Sequence, residues 1–251
     1  MSKVITEVKD SILIVSINRS QVKNAIDAET AQNLYEVFED FDQNRALSVA
    51  ILTGVGDVFC AGADLKAIAT DISKAPPLNM EGPAPLGVSR MVLSKPVIAA
   101  VEGFAVAGGL ELALWCDLRV ASEDAVFGVY CRRFGVPLVD GGTIRLPRLI
   151  GQSHAMDLIL TGRGVSGQEA QSMGLVNRLT QKGKALELAF ELAKKLSAFP
   201  QKCMRNDRLS ALEQWSMDME LALKNETTKG LEVLHSGETV AGAKRFLTGD
   251  F

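Results

Sequence analysis

Histidine is almost absent from this chain: His154 and His235 are the two among 251 residues. A histidine-rich zinc site is thereby excluded, and a Ser-His-Asp triad would have to use one of the pair. His154, in Gly151-Gln-Ser-His-Ala-Met, stands at an expected helix start and reads as structural. The four cysteines, Cys60, Cys116, Cys131 and Cys203, lie far apart with no CxxC pair. They read as reduced thiols rather than a disulfide framework. No window reaches the ~18 apolar residues of a membrane span, and Lys9 and Asp10 interrupt the N-terminal stretch too early for a signal peptide, so the expected compartment is the cytoplasm. A GxSxG elbow, a GxxxxGK[ST] loop and a GxGxxG turn are all missing. So is any dominance of one charge: 27 basic against 30 acidic side chains leave −3 and no basic patch. Neither nucleic acid nor an anionic membrane surface is an expected partner. No metal site is expected either, and the chemistry falls to carboxylates and backbone groups.

What the chain does have is material for a core. A hydrophobic content of 47% with 23% charged residues excludes disorder as the dominant state. At a typical ~150 residues per domain, the length suits one large domain or two small ones. Residues 11–18 and 48–53 are apolar, β-branched runs that read as buried strands, as does 97–101. Between the first two, Asp27 is set to cap a helix whose Leu34, Val37, Phe38 and Phe41 share one face. Asp64 is placed to cap a short helix over 65–69. Residues 71–90 hold four of the eight prolines and read as a long loop of the kind that serves as a lid.

Further on, residues 102–109 read as a turn and 110–116 as an apolar helix, followed by strands at 117–121 and 126–129. Gly141, Gly142 and Pro147 punctuate the way to a helix over 153–160, then a helix over 167–173 and a strand over 175–179. Beyond Lys182 the pattern is helical, with amphipathic stretches over 186–196 and 209–224. Strands recur before helices every 35 to 45 residues or so, which favours stacked ββα turns over a doubly wound sheet. The expected organisation is an α/β core over 1–180 and a helical region over 181–251.

Two strand-to-helix junctions stand out: Phe59-Cys-Ala-Gly-Ala-Asp-Leu-Lys66 and Gly103-Phe-Ala-Val-Ala-Gly-Gly-Leu-Glu-Leu112. Small residues there let a ligand approach the main chain, and the first N–H groups of a helix have no partner inside it. Two such ends aimed at one oxygen would make an oxyanion hole, worth about 3 kcal/mol per donor in enolate-forming or acyl-transfer chemistry. Equally, these glycines would serve tight packing of helix on strand.

Asn24-Ala-Ile-Asp27, the 59–66 junction, Lys95-Pro-Val-Ile-Ala-Ala-Val-Glu-Gly103, Gly108-Gly-Leu-Glu-Leu-Ala113 and Asp140-Gly-Gly-Thr143 occur in an order and spacing that resembles the crotonase (enoyl-CoA hydratase/isomerase) superfamily from about Val4 onward. The resemblance implies a spiral of ββα units with a C-terminal helical trimerisation region, assembly as a homotrimer or as a hexamer, and acyl-CoA thioester substrates. Coenzyme A would arrive as part of the substrate, with no separate cofactor. By the same resemblance the oxyanion donors are the N–H groups of Ala63 and Gly108. Lys23, Ala61, Ala63, Asp64 and Leu65 are the candidates for coenzyme A contact, with Asp64 also read as a helix cap. Phe246 on the last helix is a further candidate, while Gly249 and Asp250 stand where the family has a lysine; Lys244 or Arg245 would have to replace it.

The resemblance places one catalytic glutamate at Glu111, three residues past Gly108 and so on the same helix face. Burial in the apolar LELALWC stretch would raise its pKa towards neutrality, which suits a general acid/base. The family's second glutamate falls at Cys131, and a thiol is no substitute for that carboxylate. Classical hydration of a 2-enoyl thioester is therefore in question. Three readings follow: a double-bond isomerase using Glu111 with or without Asp140, a hydratase in which Glu111 works with water, or an acyl-CoA-binding protein without turnover. Arg132 and Arg133 are candidates to hold an acidic acyl group or Glu111, or to form a subunit contact. Ile68, Met80, Leu86, Met91 and Trp115 are candidates for an acyl-tail pocket as well as for the core.

Overall fold

The computed structural model describes residues 2–71, 78 and 81–249, apart from the side chain of Ile68. Part of the 71–90 loop, Met80, Asp250 and the Ile68 side chain thus lie outside the described residues. The chain divides into two compact units, Met1–Lys194 and Lys195–Phe251.

The first unit is built on a six-stranded sheet in the order β1-β2-β3-β4-β6-β9 and a three-stranded one in the order β5-β7-β8. Strands β1 (Val4–Lys9) and β2 (Ile12–Ile17) form an antiparallel hairpin, after which β3 (Val49–Gly54), β4 (Val97–Val101), β6 (Leu118–Ser122) and β9 (Arg178–Thr180) add in parallel. In register, Ile14, Ile51, Ile98 and Leu118 form one row across the sheet. All five residues of β4 are buried, as expected of a parallel strand covered on both faces. The second sheet holds β5 (Phe104–Val106), β7 (Val126–Gly128) and β8 (Gly164–Ser166). The chain therefore lays β4 in one sheet, β5 in the other, then α3 (Gly108–Trp115); it repeats this with β6, β7 and α4 (Gly142–Thr161). This is the spiral of ββα units.

Local chemistry sets the helix starts. Asp27 caps α1 (Ala28–Gln43) by accepting the Thr30 N–H, and Asp64 caps α2 (Leu65–Thr70) by accepting that of Ala67. The buried Arg119 gives its guanidinium to the carbonyls of Ala113, Cys116, Asp117 and Leu175, closing the C-terminal end of α3.

Several expectations need correction. Residues 102–109 are not wholly a turn, because Phe104–Val106 pair with β7. The helix expected over 153–160 begins at Gly142; it runs through Pro147 and kinks at Gly151, whose φ of 77° lies in the left-handed region. The strand expected over 175–179 is confined to Arg178–Thr180. In the 71–90 stretch, read as a long loop, Leu86, Val88 and Ser89 are buried.

Helix α5 (Gly167–Ser172) precedes β9, and α6 (Ala185–Ala198) buries Ala185, Ala189 and Ala193. The second unit carries α7 (Gln201–Glu213), α8 (Met219–Ser236) and α9 (Glu238–Thr248). The helix expected over 209–224 is thus two, since Asp218 starts α8 by accepting the Leu221 N–H. Among the described residues no helix is long and apolar enough to cross a membrane.

Candidate active site

The two glycine- and alanine-rich junctions meet. The Ile26 N–H donates to the Gly62 carbonyl (2.8 Å) and the Asp64 N–H to the Ile26 carbonyl (2.9 Å). Successive N–H groups of an extended segment point to opposite sides, so this pairing turns the Ala63 N–H away from Ile26. Gly108 is the first residue of α3, where an N–H has no acceptor within the helix. Among the described residues neither N–H has a hydrogen-bond acceptor. The junctions touch: a methyl on Gly62 would fall 2.8 Å from the Gly108 nitrogen, and one on Gly109 would fall 2.0 Å from the Cys60 carbonyl oxygen. Only glycine permits that second approach. Ala107, just before α3, has φ 54° and ψ −125°, a conformation that strains any residue with a Cβ.

Ala63 and Gly108 line a cavity of about 680 Å³. Its walls are mostly apolar, with Leu86, Val106, Phe134, Val136 and Val139 among them. Glu111, Cys131 and Asp140 line it as well, so all five expected catalytic residues share one cavity. Glu111 sits one turn into α3, buried, and its Oε1 accepts the N–H groups of Asp140 (2.9 Å) and Gly142 (2.8 Å). Loss of water around the carboxyl, only partly offset by those two bonds, pushes its pKa up to about 7. Asp140 is buried too; its Oδ1 accepts from the Leu86 N–H (3.0 Å) and the Ser89 hydroxyl (2.5 Å), yet burial still raises its pKa. The Cys131 thiol, on the 3-10 turn Tyr130–Phe134, is held above its ordinary pKa by burial, with the charge of Glu111 acting the same way.

Of the residues expected to meet coenzyme A, Lys23, Ala61 and Leu65 line the cavity beside Ala63. Asp64 does not. Its Oδ1 caps α2 and its Oδ2 is bound by Arg19 at 2.9 Å. Phe246 lies exposed on α9 in the second unit, as do Lys244 and Arg245. Arg132 donates to the Ile159 carbonyl, while Arg133 donates to the Gly162 carbonyl and stacks on the Tyr130 ring at 3.8 Å. Neither arginine lines the cavity. Of the acyl-tail candidates, Leu86 lines it, whereas Met91 and Trp115 pack on the core. His154 is exposed on α4.

Sequence reasoning missed several participants. Arg145, half-buried, donates to the carbonyls of Asp140 (3.0 Å) and Ser89 (2.6 Å) and so fixes the loop that holds Glu111. Tyr130 and Phe134 form a wall beside Cys131. The Asp140-Gly-Gly motif marked this loop, but nothing local ties its N–H groups to a carboxylate 29 and 31 residues earlier. The assembly places unpaired N–H donors, one carboxyl poised near neutrality and a neutral thiol around a mostly apolar cavity. Such a site can polarise a carbonyl and move a proton next to it.

Known proteins carry the same arrangement of chain. The family model described as enoyl-CoA hydratase/isomerase matches residues 7–247. Enoyl-CoA hydratase EchA19 of Mycobacterium tuberculosis is 35% identical over 249 residues, covering 96% of this chain and 92% of its own length. Carnitinyl-CoA dehydratase of Escherichia coli O157:H7 is 34% identical over 246 residues, covering 94% and 92%. The crystal structure of enoyl-CoA hydratase EchA1 from Mycobacterium marinum superposes with a TM-score of 0.92 at 36% identity, covering 98% of this chain and 96% of that one.

Proposed function

The chain belongs to the enoyl-CoA hydratase/isomerase family of enzymes, and from that premise we propose that it binds acyl-CoA thioesters and reacts them through an enolate held by the Ala63 and Gly108 N–H groups. The thioester oxygen accepts both N–H groups. Charge grows on it as a proton leaves the α-carbon, and donors already in place stabilise that charge without reorganising. Glu111 takes the proton. With a pKa of about 7 it is half ionised near neutrality, where general base and acid roles are both open to one group. Lys23, Ala61 and Leu65 border the coenzyme A arm, which enters as part of the substrate.

The observation that carries the choice of reaction is the neutral, buried thiol of Cys131 in the cavity beside Glu111. A protonated thiol does not activate water as a carboxylate does. This favours double-bond isomerisation, in which Glu111 lifts a proton from C2 of a 3-enoyl thioester and returns one to C4, with Asp140 as an additional proton carrier. The names of the hydratase and dehydratase relatives support a second reading, hydration with Glu111 and a water molecule. Purified protein given 3-enoyl-CoA should gain conjugated-thioester absorbance, and given 2-enoyl-CoA should lose little of it. Rapid loss of that absorbance would replace isomerisation by hydration. Full activity of Glu111→Gln would remove the catalytic assignment, and absence of solvent-deuterium exchange at the α-carbon would leave a binding protein.

Assembly as a trimer or hexamer is part of the proposal. It is supported by exposed Trp215, Met219, Leu223 and Leu247 on the helical unit, an apolar surface that a partner would cover. Four free cysteines support a reducing, cytoplasmic setting.

A further inference from the structure

Arg19 lines no part of the cavity, yet it is buried and its guanidinium joins the caps of two helices. Each cap aspartate divides its oxygens. Asp27 uses Oδ1 for the Thr30 N–H and hydroxyl, and Asp64 uses Oδ1 for the Ala67 N–H. The Oδ2 atoms of both converge on Arg19 Nη2, at 3.1 Å from Asp27 and 2.9 Å from Asp64. Arg19 Nη1 donates to the Ala25 carbonyl. The main chain of Arg19 is fixed from the same side: its N–H donates to Asn24 Oδ1 at 2.9 Å, and Asn24 Nδ2 donates to the carbonyls of Val55 and Val58. Lys23 and Asn24 both sit at positive φ, 54° and 55°, held there by these bonds.

The segment so fixed is the template for the 61–64 turn. The Lys23 carbonyl accepts the Ala61 N–H, Ile26 pairs on both sides of Ala63, and Asp64 is clamped by Arg19. We propose that Arg19 is a positioning residue for the reaction, setting the direction of the Ala63 N–H by locking Asp64 to Asp27. The proposal rests on the reading of Ala63 as a donor to the thioester oxygen. A lysine in place of Arg19 would carry the charge but not the fork that reaches Asp27, Asp64 and the Ala25 carbonyl together.

The test uses Arg19→Lys and Asp64→Asn. The asparagine keeps an oxygen for the Ala67 N–H but loses the charge that holds Arg19, and so serves if the lysine variant does not fold. Steady-state kinetics are paired with the absorbance of a bound chromophoric, conjugated acyl-CoA, which moves to the red when its carbonyl is polarised. The expected result is a kcat lower by about 10- to 100-fold, a KM within about threefold of wild type, and a smaller red shift. A variant with a lower melting temperature but wild-type kcat and an undiminished red shift would overturn the proposal, leaving Arg19 a structural clamp. If the wild-type protein itself produces no red shift, the donor role of Ala63 fails instead, and the two failures are told apart.

Discussion

Glu111 should make this protein less stable as the pH rises, and its replacement by glutamine should reveal by how much. The carboxyl has its ordinary pKa of 4.5 when the chain is unfolded and about 7 when folded, chiefly because burial strips its water. The folded state therefore binds this proton more tightly. The resulting stabilisation is complete below the unfolded value, declines as the pH climbs from 4.5, and is gone above about 7. A tenfold difference in proton affinity between the two states corresponds to about 1.36 kcal/mol, so ionising Glu111 in place costs about 3 kcal/mol of folding free energy at pH 8 and below about 1 kcal/mol at pH 5. Glu111→Gln keeps an oxygen to accept the N–H groups of Asp140 and Gly142 and never ionises. The variant should unfold at a higher temperature than wild type at pH 8, by about 6–12 °C for a chain of this size, and nearly with it at pH 5. Activity should move the other way: kcat/KM of the wild-type protein rises with pH to a plateau above about 7, and the glutamine variant is inactive throughout. Thermal unfolding at both pH values decides the matter. A stability gap that is the same at pH 5 and pH 8 would show that the Glu111 carboxyl is not perturbed, and the choice of this group as the proton carrier would lose its physical basis.

Three further outcomes bear on the same cavity. Cys131→Glu should raise hydration of 2-enoyl-CoA at least about tenfold over wild type, because a positioned carboxylate typically contributes about 10²–10⁴-fold; loss of conjugated absorbance measures it, and no gain would mean that no water can be seated there. Gly142→Ala puts a methyl 2.9 Å from Glu111 Oε1 and 3.0 Å from its Cγ, so kcat should fall about 10- to 100-fold in a folded protein. An unchanged kcat would show that the Gly142 contact does not hold the carboxyl in its working place. Ala107→Gly should raise stability by about 1 kcal/mol, since relief of about 1–3 kcal/mol of strain at φ 54° outweighs the added chain entropy; a lower unfolding temperature would refute the strain.

The parts of this protein that could be read from its sequence are those whose cause is local. Strands β2, β3 and β4 are continuous apolar runs, and the caps of α1 and α2 are aspartates three residues before the N–H they accept. Three-residue elements are legible unevenly: β7 lies within the run read over 126–129, whereas Phe104–Val106 becomes a strand only because β7 lies beside it. The break between α7 and α8 was legible in principle, because Asp218 caps α8, but apolar spacing across 209–224 hid it. Pro147 misled in the opposite direction, since the backbone of α4 bends at Gly151 instead. In the site, the residue types at 63, 108, 111 and 131 could be named from their motifs. The bonds that fix Glu111, and those that turn Asp64 away from the cavity and towards Arg19, join segments 29 to 45 residues apart. No local pattern encodes them.

Charge gives a reason for the thiol that the motifs alone do not. Glu111 and Asp140 already place two carboxyls in one cavity, both with raised pKa values, and the half-buried Arg145 nearby gives its hydrogen bonds to carbonyls. A third carboxylate at position 131 would add a negative charge where an enolate must also form. In the proposed reaction the transfer of the α-proton to Glu111 leaves the net charge of the cavity unchanged whatever stands at 131, but a neutral thiol there places no fixed anion near the thioester oxygen as it becomes negative beside the Ala63 and Gly108 N–H groups. In a medium of low polarisability, a negative charge that forms beside prepared N–H donors is less costly when no fixed anion stands near it. On the proposed reading, a cysteine at 131 withholds a means of activating water while sparing the enolate a neighbouring anion, and isomerisation requires only the enolate.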